Sequence, residues 1–305
     1  MHISRRRRGS RSRCSHVPPQ QLAPRGARWW VGAVLLTVSI LLVSFVADAT
    51  IFSGLQYSRA QTLAYSQLRL ELAQADAPVG QLNFKGDLVP AGTPVALLRI
   101  PAIGLSEVVS EGTTADVLRS GPGHRRDSVM PGQDGTSVIL GRQTTYGGPF
   151  GSLKQLVPGD TITVITGQGT NTFRVFGIRH AGDPAPETLQ PGAGRLELVT
   201  ADGLPLLPSG ALYVDAALVS TVQKTPTLVM RYQALPDDER AMGQDTNAWY
   251  TAFFVFVFFV AAGLVLRWLW RRWGRRQVWL IGVPVMVALG ATVADAVLNA
   301  LPNLI

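Results

Sequence analysis

Few residues in this 305-residue chain are of a type that could do chemistry: one cysteine, four histidines, and some hydroxyls, acids and arginines near candidate strand ends. A thiolate or activated hydroxyl would serve acyl transfer as nucleophile, a histidine would carry the proton, and an arginine would steady a developing oxyanion. The sole cysteine, Cys14, stands in an arginine-rich amino-terminal stretch. His124 closes a Gly-Pro-Gly-His turn and His180 comes just before Gly182-Asp183-Pro184, so each reads as a lone turn or surface histidine. No His, Asp or Glu pair has zinc-ligand spacing, and Asp183 with Glu187 are too few for calcium. No metal and no cofactor are expected.

Two stretches would position a site. Arg195-Leu196-Glu197-Leu198-Val199-Thr200-Ala201-Asp202 alternates apolar and polar residues and reads as a strand running into a Gly/Pro-rich loop at 202–210. Residues 137–150 form its companion, a strand that ends at Gly141-Arg142-Gln143-Thr144. On the first strand Thr200 and Asp202 face away from Ala201, because strand side chains alternate. Arg142 stays protonated at physiological pH and cannot act as general acid or base. Arg142, Thr200, Ala201 and Asp202 are therefore candidates for lining a ligand groove rather than for catalysis. Arg142 could hold a carboxylate by two parallel hydrogen bonds, or pair locally with Asp202.

Around these stretches the pattern is one of short strands between Gly/Pro turns, at 95–100, 106–110, 136–141, 161–166, 171–179, 195–200 and 211–220, with a further strand possible at 227–230. A short helix is expected over 113–118, capped by its threonines, and a longer one over 55–76. Such spacing means an all-β barrel or sandwich.

Charge and hydropathy give the frame. Three runs, 29–47, 248–266 and 278–294, are nearly free of charge and long enough to cross a membrane. Of the 28 basic residues, eight lie in 1–28 and five in 267–276, neither of which contains an acid; residues 50–246 hold 15 basic and 18 acidic residues, a net of −3. A +8 chain invites a nucleic-acid reading, but this segregation is the positive-inside pattern and argues for a bilayer partner and no nucleic acid. The expected organisation is a basic cytoplasmic tail (1–28), an uncleaved anchor (29–49), a stalk helix and linker (50–90), a barrel (91–222), a second linker (223–247), a span (248–266), a basic cytoplasmic loop (267–277) and a third span (278–301). The Ala47-Asp48-Ala49 site also fits signal cleavage, but the run before it is long for a signal peptide. The barrel would be extracellular on a three-span protein of the cytoplasmic membrane. Asp295, near the outer end of the third span, reads as a wet headgroup position.

The order and spacing of several pieces over 95–220 resemble the sortases, closest to the class E-like and related actinobacterial members. They are Leu98-Arg99-Ile100-Pro101, Gly121-Pro122-Gly123-His124, Met130-Pro131-Gly132, Gly147-Gly148-Pro149-Phe150 with Leu156-Val157-Pro158-Gly159-Asp160, and the two strands above. The resemblance implies the eight-stranded sortase β-barrel with short helices, flanked here by one amino-terminal and two carboxyl-terminal transmembrane helices, and a groove for an LPxTG-type sorting peptide. It also implies where a transpeptidase would keep its cysteine, histidine and arginine: here those positions hold Ala201, Arg142 and Ala211, the last at the expected start of the final strand. The implied protein is a catalytically inactive sortase homologue with a binding, scaffolding or regulatory role at the bacterial surface, partnered by an active sortase or a protein bearing a sorting signal. The alternative is a working transpeptidase or peptidase with a rearranged site.

Overall fold

A computed structural model describes residues 31, 35, 42, 45, 53–272 and 275–305. The chain divides into two compact units, Met1–Ile40 and Leu41–Ile305, and every element below belongs to the second. The basic tail and nearly all of the first span lie outside the described residues, as do Trp273 and Gly274 of the basic loop.

Eight strands close into a barrel: β1 (Pro94–Ile100), β2 (Leu105–Glu111), β3 (Gly123–His124), β4 (Gly135–Leu140), β5 (Thr161–Thr166), β6 (Gly169–His180), β7 (Gly194–Leu204) and β8 (Leu207–Leu218). Their order around the wall is β1-β2-β3-β4-β7-β8-β6-β5, and β5 returns to β1. The pairs β2–β3 and β4–β7 are parallel and the rest antiparallel. Period-two alternation fills the barrel: Leu98, Ile139, Ile162, Val164, Phe173, Leu196, Leu198, Val214 and Ala216 point inward into one core. Burying such side chains is worth roughly 1.5–3 kcal/mol each.

The helices are α1 (Ser53–Gln74), the single turn α2 (Ala115–Leu118), α3 (Ala248–Arg272) and α4 (Arg275–Ala300). α1 lays Leu68 on Leu97 and Val108 of the wall. Its Gln61 side chain accepts from the Val108 amide at 2.7 Å and donates to the Val108 carbonyl at 3.1 Å, satisfying β2 where the two-residue β3 does not reach. Thr114 caps α2 as expected, accepting from the Val117 amide. α3 and α4 run antiparallel: Leu266 faces Gly282, and Phe259 faces Gly290.

Three expectations change. The Gly-Pro-Gly-His turn contains strand β3, too short to show any alternation in sequence. The expected loop 202–210 is mostly hairpin, with β7 continuing to Leu204 and β8 starting at Leu207. No strand forms at 227–230: the Gln81 side chain takes the place of a neighbouring strand, accepting from the amides of Val229 and Met230 and donating to the Met230 carbonyl.

Candidate functional site: a groove at the ends of β4, β7 and β8

The same alternation that fills the barrel puts Val138 and Leu140 of β4, Val199 and Ala201 of β7, and Ala211 of β8 on the outer face, in one apolar cluster with Leu118 of α2. The β4–β7 ladder ends at Leu140↔Val199, and the Gly141 amide still bonds the Val199 carbonyl at 3.0 Å. Arg142 and Ala201 each lie two residues past that last pair. Across the hairpin Ala201 pairs directly with Ala211. The fold thus brings Arg142, Ala201 and Ala211 to one place, although Ala211 sits within β8, four residues after its start, because the hairpin is longer than expected.

Thr200 and Asp202 do not join them. Thr200 shares the parity of Leu196 and Leu198, and its buried hydroxyl has no partner among the described residues. Asp202 lies at the rim and meets Nδ1 of His180 at 2.7 Å, so it does not pair with Arg142. His180 is not a lone histidine, and neither is His124. His124 is wholly buried, with Nδ1 2.9 Å from Glu111 and Nε2 2.9 Å from the Val129 carbonyl. Both ring nitrogens face acceptors, the arrangement of an imidazolium. Burial works against that charge, but the Glu111 carboxylate outweighs it and holds His124 above its ordinary range. Ser128 lies 3.1 Å from Nε2, but its hydroxyl is already engaged by the Arg125 carbonyl and the Val138 amide. The cluster is a strut under β3, not a catalytic triad.

Arg142 is the largest fully buried side chain of the chain's described part, at 0% exposure. Nη2 donates to the Ala115 carbonyl at 2.8 Å, and Nη1 to Thr145 Oγ1 at 3.1 Å and to the Ile305 carbonyl at 3.1 Å. The guanidinium lies 4.9 Å from the centre of the Tyr146 ring, while Nε has no partner among the described residues. Burial lowers the Arg142 pKa to about 10, which leaves it protonated at neutral pH. Gly141 makes this placement possible, since a Cβ there would stand 2.5 Å from the Phe150 ring.

The groove is filled by a segment that sequence reasoning passed over. Residues 301–305, just past α4, return to the barrel: Leu304, at 0% exposure, packs in the cluster of Ala201 and Ala211. Its carbonyl accepts from the Gln143 amide at 2.9 Å. Thr145 donates to the Ile305 carbonyl at 2.5 Å. Buried Asn303 donates to the carbonyls of Thr113, Asp238 and Arg240. The available signal was Leu301-Pro302, a helix stop followed by two large apolar residues with no reason to face water. Asp295 of α4 is likewise no wet headgroup residue: it accepts from the Tyr146 hydroxyl at 2.5 Å and pairs with Arg119 at 3.1 Å.

Residues 98–206 match the sortase domain. The curated sortase D of Bacillus subtilis is 32% identical over 100 residues, a match covering 33% of this chain and 48% of that protein. The chain thus spans about half the length of that relative. Among solved structures, sortase E from Streptomyces avermitilis is 28% identical with a TM-score of 0.38, covering 50% of this chain and 100% of that one. A Clostridium perfringens sortase D5 transpeptidase is 20% identical with a TM-score of 0.44, covering 53% and 99%. Residues 98–206 thus carry a sortase domain.

Proposed function

We propose that this chain is a membrane-anchored sortase homologue of the bacterial surface that does no transpeptidation and acts by binding, scaffolding or regulation in surface-protein sorting. The observation that carries the reading is the content of the groove. The positions that the family resemblance assigns to nucleophile, proton carrier and oxyanion donor hold Ala201, Arg142 and Ala211. A methyl group cannot form an acyl-enzyme, and a guanidinium with a pKa of about 10 cannot shuttle a proton at neutral pH. The rearranged-site alternative would draw on the His180–Asp202 pair, yet among the described residues no hydroxyl bonds that ring, and the Thr200 hydroxyl is buried without a partner.

Two features support the membrane reading. Ala248–Leu269 and Gln277–Ala300 are long and apolar enough to cross a bilayer. They expose large apolar side chains to the surroundings, Phe258 at 68% and Leu280 at 76% among them. A hairpin of two spans returns residues 301–305 to the face that carries the barrel, and the groove contacts require that same side. Partners proposed on this reading are an active sortase or a protein with a sorting signal.

The test uses full-length protein in detergent and an LPxTG-type peptide carrying a thiol- and hydroxyl-reactive warhead. Peptide mapping should find no adduct within 142–146 or 200–211; any labelling of Cys14 is read separately. An adduct at a groove residue would favour the rearranged enzyme.

A further inference from the structure

We infer that residues 301–305 are a cis ligand of the degenerate groove: the protein closes its own peptide site with the segment that follows α4, and any peptide arriving in trans must displace it. The inference rests on the reading of this groove as the counterpart of the family's active site. Its own support is the contact geometry.

The segment is bound as a ligand is bound rather than merely lying near. It is anchored at three successive residues by complementary chemistry. Asn303 spends its amide hydrogens on three carbonyls, from Thr113 before α2 and from Asp238 and Arg240 of the second linker, while its own amide bonds the Gly243 carbonyl at 3.0 Å. Leu304 inserts its side chain among Leu118, Val138, Leu140, Val199, Ala201 and Ala211, while its carbonyl takes the Gln143 amide. Ile305, 3% exposed, presents a carbonyl to both Arg142 and Thr145. The substitutions in the groove suit this occupant. Two alanines where larger polar side chains would stand leave room for Leu304, and a fixed cation in place of a titrating ring supplies a permanent donor for a main-chain oxygen.

The arrangement also links barrel and helices. Asp295, on the last turns of α4, is held by Tyr146 and Arg119, and the Tyr146 ring lies 5.3 Å from the Arg119 guanidinium and 4.9 Å from that of Arg142. A path of direct contacts therefore runs from α4 through Tyr146 to the guanidinium that grips Ile305. Withdrawal of the segment takes from Nη1 one of its two acceptors, beside an Nε that has no partner among the described residues. The groove is thus biased towards the occupied state, and a ligand in trans would need a main-chain acceptor and an apolar side chain at the same spacing.

The experiment uses the full chain in detergent, in a Cys14→Ser background, with single thiols introduced by Ala201→Cys or by Leu207→Cys at an exposed hairpin position (72% exposed). If the segment covers the groove, a maleimide should label the Ala201→Cys thiol at least about tenfold more slowly than the Leu207→Cys thiol, because labelling waits for local opening. Adding Leu304→Asp, or separately Asn303→Ala, should bring the Ala201→Cys rate up without changing the Leu207→Cys rate. Oxidation of an Ala211→Cys/Leu304→Cys pair should give an intramolecular disulfide in otherwise unmodified protein. This last arm keeps the test decisive where Leu304→Asp disturbs folding. Fast labelling of Ala201→Cys with the segment intact, an unchanged rate after both releasing substitutions, or failure of the pair to cross-link would each overturn the inference. Turnover of a sorting peptide, by contrast, would overturn the non-catalytic reading and leave these labelling results standing.

Discussion

The Ile305 carbonyl accepts a 3.1 Å hydrogen bond from Nη1 of Arg142, across 163 residues of sequence and the whole α3–α4 hairpin. On the proposed reading Arg142 stands where a proton carrier would, and its guanidinium grips the chain's own backbone. Arg142 is positioned by Gly141 and by the 144–150 loop, so the grip should be sensitive to both.

Replacing Gly141 by alanine places a methyl 2.5 Å from the ring of Phe150, which is fully buried and has no room to yield. The expected cost is about 1–3 kcal/mol, as for other overpacked cores. Thermal unfolding of the full chain should show it, and limited proteolysis should show residues 301–305 released. An alanine variant as stable as the parent, with the segment still protected, would contradict the placement of Arg142.

The buried His124 makes stability depend on pH. Its folded pKa is held above the ordinary 6.5, with the Glu111 carboxylate outweighing burial. A raised pKa contributes stability that is complete below the unfolded value and is lost as pH rises through the folded one. The melting temperature should therefore fall as pH is raised from about 6.5. His124→Gln should lower stability at pH 6 and flatten that part of the profile. A His124→Gln variant with the parent's full pH dependence would remove the imidazolium from the argument.

Tyr146→Phe removes the hydroxyl that Asp295 accepts from. Hydrogen bonds to charged groups are worth about 1.5–3 kcal/mol, and partial exposure of Asp295 reduces the expected loss to about 1 kcal/mol. Asp295→Ala should cost more, because it also loses the Arg119 ion pair, and the double variant little more than Asp295→Ala alone, because both cut the Tyr146–Asp295 link. Fully additive losses would mean the two residues act separately.

How much of this was legible in the sequence varies with the length of the pattern that each part leaves. Strand β5 alternates in and out over Thr161–Thr166, and its bounds could be read from that alone. β3 pairs only two residues on each side, too few to show a period. The β7–β8 hairpin ran past its expected end because its tip, 202–210, is Gly/Pro-rich although its backbone stays paired. The positions of Ala201, Arg142 and Ala211 followed from motif order, and the fold brings them together. What filled the groove was not legible. Leu304 and Ile305 carry no periodic signal, and their partners lie over a hundred residues away. Asp295 was misread for the same reason, since nothing local announces Arg119 and Tyr146.

The thirteen arginines segregated in 1–28 and 267–276 predict an orientation with both segments inside and the barrel outside. In intact cells, a membrane-impermeant maleimide should label Leu207→Cys and spare Gly274→Cys, and permeabilisation should expose the latter. The reverse pattern would put the barrel in the cytoplasm and end the cell-surface role.

The most direct measurement is turnover. Full-length protein in detergent, incubated with an LPxTG-type peptide and an amine acceptor, should yield neither cleaved nor transferred product by mass spectrometry, and the Leu304→Asp variant with its groove released should be equally inert. Product formed by either protein, and lost on substitution of Arg142, Thr200 or Asp202, would contradict the account.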